Sequence, residues 1–257
     1  MLRVLSRFRP QYAGHASTSS ASVDKKEVEK FGKLSSEWYD ESGPFSALHS
    51  LNKLRVPWIL NNVKSNSHVL DVGSGGGVLS IPLARSGLTV TGVDATKEAV
   101  SAARNRTKLT ETRRFADRLN FEWSSIESFA DRQENKNKFD AVIASEIVEH
   151  VADVPSFVTS LCDVAKPGAP IFITTINRTT LSNLAAIWLA EDILEIVPQG
   201  VHDWKKFVKP EELKAIMSKN GCHVQTVNGF MYHPIGNYWD WISSSQCNYA
   251  LMAVKGL

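Results

Sequence analysis

The sequence predicts an α/β protein built on a doubly wound, mostly parallel sheet. Three observations carry this. Short apolar runs recur from His68 to Thr175, helix-like amphipathic stretches separate them, and a glycine cluster follows the first run directly. Strands alternating with helices imply βαβ units, and so a parallel sheet covered on both faces. A chain of 257 residues, 43% hydrophobic and 22% charged, is large enough for one such core.

The elements follow in order. Residues 1–22 read as a mitochondrial targeting segment. Leu2, Val4, Leu5 and Phe8 alternate with Arg3, Arg7 and Arg9, small hydroxylated residues run from Ser17 to Ser22, and no acid occurs. Residues 23–62 are charged and then aromatic, with Phe31, Trp38, Tyr39 and Phe45 around a Gly43-Pro44 break; they predict a helical cap that lies over a neighbouring site. Residues 63–257 form the main domain. Its strands are predicted at His68–Val72, Leu88–Val93, Leu119–Trp123, Phe139–Ala144 and Pro170–Thr175. Thr96 caps one helix, and another spans Pro155–Ala165. Residues 177–209 interrupt the rhythm as an insertion. Pro210 then opens a helix, and Cys222–Val227 and Tyr249–Val254 supply the last strands.

Composition narrows the function. Setting aside the three arginines of the acid-free start leaves 26 basic against 27 acidic residues, which argues against nucleic acid as the main partner. Cys162, Cys222 and Cys247 are odd in number and contain no CxxC, which argues against a disulfide framework or cysteine zinc site. No apolar run approaches the roughly 18 residues of a membrane span; the richest, Leu181–Val197, is broken by Asn183, Glu191, Asp192 and Glu195.

Two motifs carry chemistry. Asp71-Val72-Gly73-Ser74-Gly75-Gly76-Gly77 lies between a strand and a helix, where glycines permit a tight turn and close approach of a ligand. The dinucleotide fingerprint GxGxxG fails, because its third glycine would fall at Val78. Asp71 places a carboxylate beside the loop, which disfavours a pyrophosphate and suits a cationic ligand. Asp94, closing the second strand, can accept both hydroxyls of a ribose. The second motif is Ser145-Glu146-Ile147-Val148-Glu149-His150 after the fourth strand. In a helix or turn, Glu146, Glu149 and His150 share a face at i, i+3 and i+4. Two carboxylates and an imidazole suit a divalent ion: oxygen donors favour Mg²⁺ or Mn²⁺, and the histidine also admits iron or zinc. The fourth strand is expected beside the first, which brings both motifs to one edge of the sheet.

The glycine motif with Asp94 resembles the class I S-adenosylmethionine-dependent methyltransferases, which implies a Rossmann-like sheet with an antiparallel last strand. Ser74 stands where the common form has cysteine. Trp38-Tyr39-Asp40, Leu48-His49-Ser50-Leu51-Asn52-Lys53-Leu54-Arg55, Glu146–His150, Leu161 to Pro167-Gly168, Thr175-Ile176-Asn177-Arg178 and Val201 to Phe207 narrow the resemblance to the ubiquinone-biosynthesis O-methyltransferases, from about Lys25 onward. The resemblance implies cofactor contacts at Arg55, Asp71, Gly73, Gly75, Asp94 and Ser145, with Arg55 on the methionine carboxylate. It implies Mg²⁺ on Glu146, Glu149 and His150. It further implies polyprenylated catechol substrates methylated at two stages, a multi-enzyme complex, and peripheral contact with the matrix side of the inner mitochondrial membrane. Leu181, Leu184, Ile187, Trp188, Ile193, Leu194 and Val197 then offer an apolar face to lipid or a core. His202 and Asp203 are a proton-accepting pair or structural, and no general base is assigned. The competing expectations are methyl transfer to another acceptor and a non-catalytic S-adenosylmethionine-binding assembly subunit.

Overall fold

The structure, a computed structural model, describes residues 21–179 and 206–257. The apolar residues of the insertion from Leu181 to Val197, together with His202 and Asp203, lie outside the described residues, as do residues 1–20.

Helices α1 (Lys25–Lys33) and α2 (Ser46–Leu60) precede the sheet. Then come β1 (His68–Val72), α3 (Ser80–Arg85), β2 (Thr89–Asp94), α4 (Lys97–Arg106), the short α5 (Thr110–Arg113), β3 (Leu119–Trp123), α6 (Ile126–Ala130), β4 (Ala141–Ser145), α7 (Val154–Val164) and β5 (Pro170–Ile176). After the insertion follow α8 (Pro210–Lys219), β6 (Cys222–His233), β7 (Tyr238–Ile242) and β8 (Asn248–Lys255). The strand order is β3-β2-β1-β4-β5-β8-β6-β7. Strands β1 to β5 are mutually parallel. β8 pairs antiparallel with β5, β6 antiparallel with β8, and β7 antiparallel with β6.

The near-continuous apolar strands are explained by burial on both faces. Successive strand residues point to opposite sides. Val69, Ala141, Ile143 and Phe172 enter one layer, with Ile81 and Leu83 of α3. Leu70, Val142, Ala144, Ile171 and Ile173 enter the other, with Phe157 and Leu161 of α7. Helix α7 starts where Asp153 accepts from the Ser156 N–H at 3.1 Å, with Pro155 in its first turn.

Three boundaries differ from the sequence expectation. Phe139 precedes β4 and bridges Ala165 instead. β6 runs on to His233 and turns back as β7, which the apolar pattern did not signal: its residues are half-exposed or exposed. Ser22, assigned to the targeting segment, is buried, and its carbonyl accepts from Ala152 N–H at 2.8 Å.

Candidate functional site

β1 and β4 are neighbours whose adjoining connections leave toward opposite sides of the sheet, so a crevice opens beyond their carboxyl ends. There a cavity of about 310 Å³ is lined by Arg55, Asp71, Gly73, Gly75, Asp94, Ser145, Glu146, Glu149 and His150. Every site residue expected from the sequence thus faces one space.

The glycine loop is held from β2. Gly73 N–H donates to Val93 O at 2.8 Å. Asp94 accepts from Gly75 N–H at 2.8 Å on one oxygen and from Thr96 N–H at 2.7 Å on the other. Gly75 has φ +53°, and a Cβ there would meet the Trp38 ring at 2.5 Å; at Gly76 a Cβ would meet Trp38 Cγ at 2.4 Å. The glycines therefore accommodate the Trp38 indole lying against the loop backbone. Phe45 stacks on that indole with centroids 3.9 Å apart, and Tyr39 O–H donates to Gly76 O. Trp38 is 5% exposed, lines the cavity, and its Nε1–H has no partner among the described residues. Trp38 and Phe45, both before β1, thus form part of the cavity wall beside the glycine loop.

Arg55, 4% exposed, links α2 to β4. Its Nε–H donates to Asn52 Oδ1 at 2.8 Å and its Nη1–H to Ser145 Oγ at 2.8 Å. Burial lowers its pKa to about 10, while the charges of Glu146 and Asp71 act to raise it. Burial pushes the Asp71 carboxyl up to about 6, partly countered by Ser80 Oγ–H donating at 2.5 Å. Burial likewise raises the carboxyl of Asp94.

The acidic-histidine segment departs from a single helical face. β4 ends at Ser145, Glu146 takes a left-handed backbone with φ +56°, and only Val148–His150 form a 3₁₀ turn. Glu146 is pushed up to about 7, first by burial and then by the charge of Glu149, and its Oε1 is buried without a partner. Glu149, 5% exposed, accepts from Thr175 Oγ1–H at 2.7 Å. His150 Nδ1 lies 3.2 Å from Glu27 Oε2 on α1. That hydrogen bond holds the Glu27 carboxyl below its usual range, against the effect of burial. The unpartnered oxygen and the mutual repulsion of two buried carboxylates are chemistry that a cation would relieve. The strand-to-turn bend nevertheless separates the donors, and among the described residues no three histidine, cysteine or acidic side chains converge on one point.

Sequence reasoning missed Glu27 and gave Trp38 no specific contact. Glu27 is 123 positions from its partner, and no local pattern marks it.

A methyltransferase-domain pattern matches residues 63–231. The mitochondrial ubiquinone biosynthesis O-methyltransferase of Homo sapiens is 41% identical over 99% of this chain and 71% of its own length. The ubiquinone biosynthesis O-methyltransferase of Pelagibacter ubique is 35% identical over 91% of this chain and 99% of its own. Among solved structures, magnesium protoporphyrin IX methyltransferase of Synechocystis with bound SAM superposes with a TM-score of 0.59 at 18% identity, covering 93% of this chain and all of that one.

Proposed function

The chain belongs to the ubiquinone biosynthesis O-methyltransferases and is an S-adenosylmethionine-dependent O-methyltransferase, and from that premise we propose how its cavity binds and turns over a polyprenylated catechol. The observation that supports this reading most is the convergence of Arg55, Asp71, Gly73, Gly75, Asp94, Ser145, Glu146, Glu149 and His150 on one cavity.

In this proposal Arg55 pairs with the methionine carboxylate of the cofactor. Asp71 faces its cationic end, and Asp94 takes the ribose hydroxyls. Gly73 and Gly75 let the ligand approach the backbone, and Ser145 fixes Arg55 from the end of β4. The methyl group passes in line from the sulfonium sulfur to a catechol oxygen, the carbon–sulfur bond breaking as the carbon–oxygen bond forms. The products are S-adenosylhomocysteine and a methyl ether, and the hydroxyl proton is released. Much of the rate enhancement then comes from holding oxygen, carbon and sulfur in line in a space closed by Trp38 and Phe45. A phenol has a pKa near 10, so its hydroxyl must be made more acidic. A divalent ion, Mg²⁺ by preference, supplies that acidity as a Lewis acid when bound. Glu146, Glu149 and His150 would hold it only after drawing together, because in the described geometry they do not converge on one point.

The same proposal covers both catechol methylations of the pathway, at the matrix side of the inner mitochondrial membrane and within its enzyme complex. Mitochondrial relatives support the organelle. Among the described residues no helix is long and apolar enough to cross a membrane, which agrees with peripheral contact. In this proposal the apolar residues of the insertion, 177–209, face lipid or serve as core, and the targeting signal lies in the acid-free start of the chain, ahead of the docked Ser22.

The test is transfer of labelled methyl from S-adenosylmethionine to a short-chain prenyl catechol, with Mg²⁺ or with chelator. The control is a Glu146→Ala, Glu149→Ala, His150→Ala protein shown to bind the cofactor. Transfer that requires metal and disappears in the triple variant is expected. Transfer indifferent to both would remove the metal from the reading and leave the methyltransferase.

A further inference from the structure

The segment from Ser22 to Phe31 is docked around His150 from several directions. Ala152 N–H donates to Ser22 O, and Val23 bridges Val151, so the chain is pinned immediately after the histidine. Lys206 Nζ reaches Asp24 Oδ2 at 2.7 Å and Glu27 Oε1 at 3.5 Å. The other oxygen of Glu27 meets His150 Nδ1 at 3.2 Å, with both side chains 15% exposed. One turn further along α1, Phe31 packs at right angles to the imidazole, with centroids 5.2 Å apart and planes at 89°.

A carboxylate can only accept, so the Nδ1 facing Glu27 carries the proton. In a neutral imidazole the other nitrogen then holds the lone pair. Among the described residues Nε2 has no hydrogen bond, and His150 lines the cavity. We propose that Glu27 is a positioning residue: it fixes the Nδ1–H tautomer of His150 while Phe31 fixes the ring plane, so that docking of α1 presents the Nε2 lone pair to the cavity. An oriented lone pair can receive a hydroxyl proton or a divalent cation, and it is set by a carboxylate on a different element, as outer-shell partners of functional histidines commonly are. Helix α1 has no fully buried residue; its contribution is to the site more than to the core. The inference rests on the reading that His150 serves this cavity.

The experiment separates the two. Ring-¹⁵N-histidine spectra of the full chain, without metal, cofactor or substrate, identify His150 by the resonance lost in His150→Ala. The wild type should show a protonated Nδ1 and a bare Nε2. Glu27→Ala should shift His150 toward a mixture of tautomers, while Glu27→Asp and Phe31→Leu move it less. A ring signal unchanged in Glu27→Ala overturns the proposal, and cooperative melting of each variant guards against misfolding. In methyl transfer, Glu27→Ala should lower kcat by roughly 10–100-fold with little change in the KM for S-adenosylmethionine, and Mn²⁺ titration should weaken over the same range. If the tautomer shifts but His150→Ala transfers methyl like the wild type, the role in the reaction is overturned although Glu27 does orient the ring.

Discussion

At the scale of single residues, the site is built from buried charged groups whose protonation burial has shifted. Burial pushes the carboxyl of Asp71, 2% exposed, up to about 6. The raised value means that the folded protein favours the protonated form. Its stabilising contribution is full below the unfolded value of 3.8 and is lost as pH rises through about 6. A bound cation reverses the preference, so binding expels a proton below that pH. Cofactor affinity, measured by calorimetry, should therefore rise toward pH 6, by at most about tenfold per pH unit, and level off above it. Asp71→Asn should bind more weakly above pH 6 and lose that slope; a slope that persists would assign the proton to another group. Gly76 makes a second, purely steric prediction. A methyl there would press on Trp38 Cγ at 2.4 Å. Overpacking of this kind costs about 1–3 kcal/mol, so Gly76→Ala should melt earlier and bind cofactor poorly. Trp38→Ala in the same chain should restore part of the stability.

Among the elements, those whose two faces are alike were legible, and those that depend on a distant partner were not. His68–Val72 appears with the expected bounds, because a strand buried in a parallel sheet is an apolar run with turn residues at each end; Leu119–Trp123 does so at the half-exposed sheet edge, its Leu, Phe and Trp alternating with Asn and Glu. β7 escaped because Tyr238-Trp239-Asp240-Trp241 sits at a sheet edge, half exposed, with no run to mark it. The glycine loop and its acid could be read, since their spacing is local. The bend at Glu146 could not, because a left-handed residue other than glycine leaves no compositional trace. The overlooked hairpin nonetheless supports the site. Trp239 Nε1–H donates to Ala47 O at 2.9 Å, in the first turn of the helix that carries Arg55. Trp239→Phe keeps an aromatic ring but removes the pyrrole portion of the indole and with it that bond. It should cost about 1 kcal/mol in denaturant unfolding and raise the KM for S-adenosylmethionine by severalfold. An unchanged KM would show that α2 holds Arg55 without the hairpin.

Across the whole molecule, one rigid sheet gathers parts that are far apart in sequence. Its carboxyl edge supplies Asp71, Asp94 and Ser145, and two outlying elements, α1 and the β6–β7 hairpin, close over them. The division of labour is uneven. The two large apolar clusters draw on strands and helices from Val56 onward, whereas α1 buries no residue fully. Stability and function should therefore separate on truncation. A chain beginning at Ala21 keeps Ser22, Val23 and Glu27, and should melt and transfer methyl as the full chain does. A chain beginning at Ser35 loses these residues, Phe31 and the cavity wall they form, but keeps Trp38 and the complete sheet. It should still unfold in one cooperative step, a few degrees lower, yet transfer methyl at a small fraction of the full rate. Equal transfer by the two chains would place α1 outside the working site, and loss of cooperative folding in the shorter one would make the helix part of the core after all.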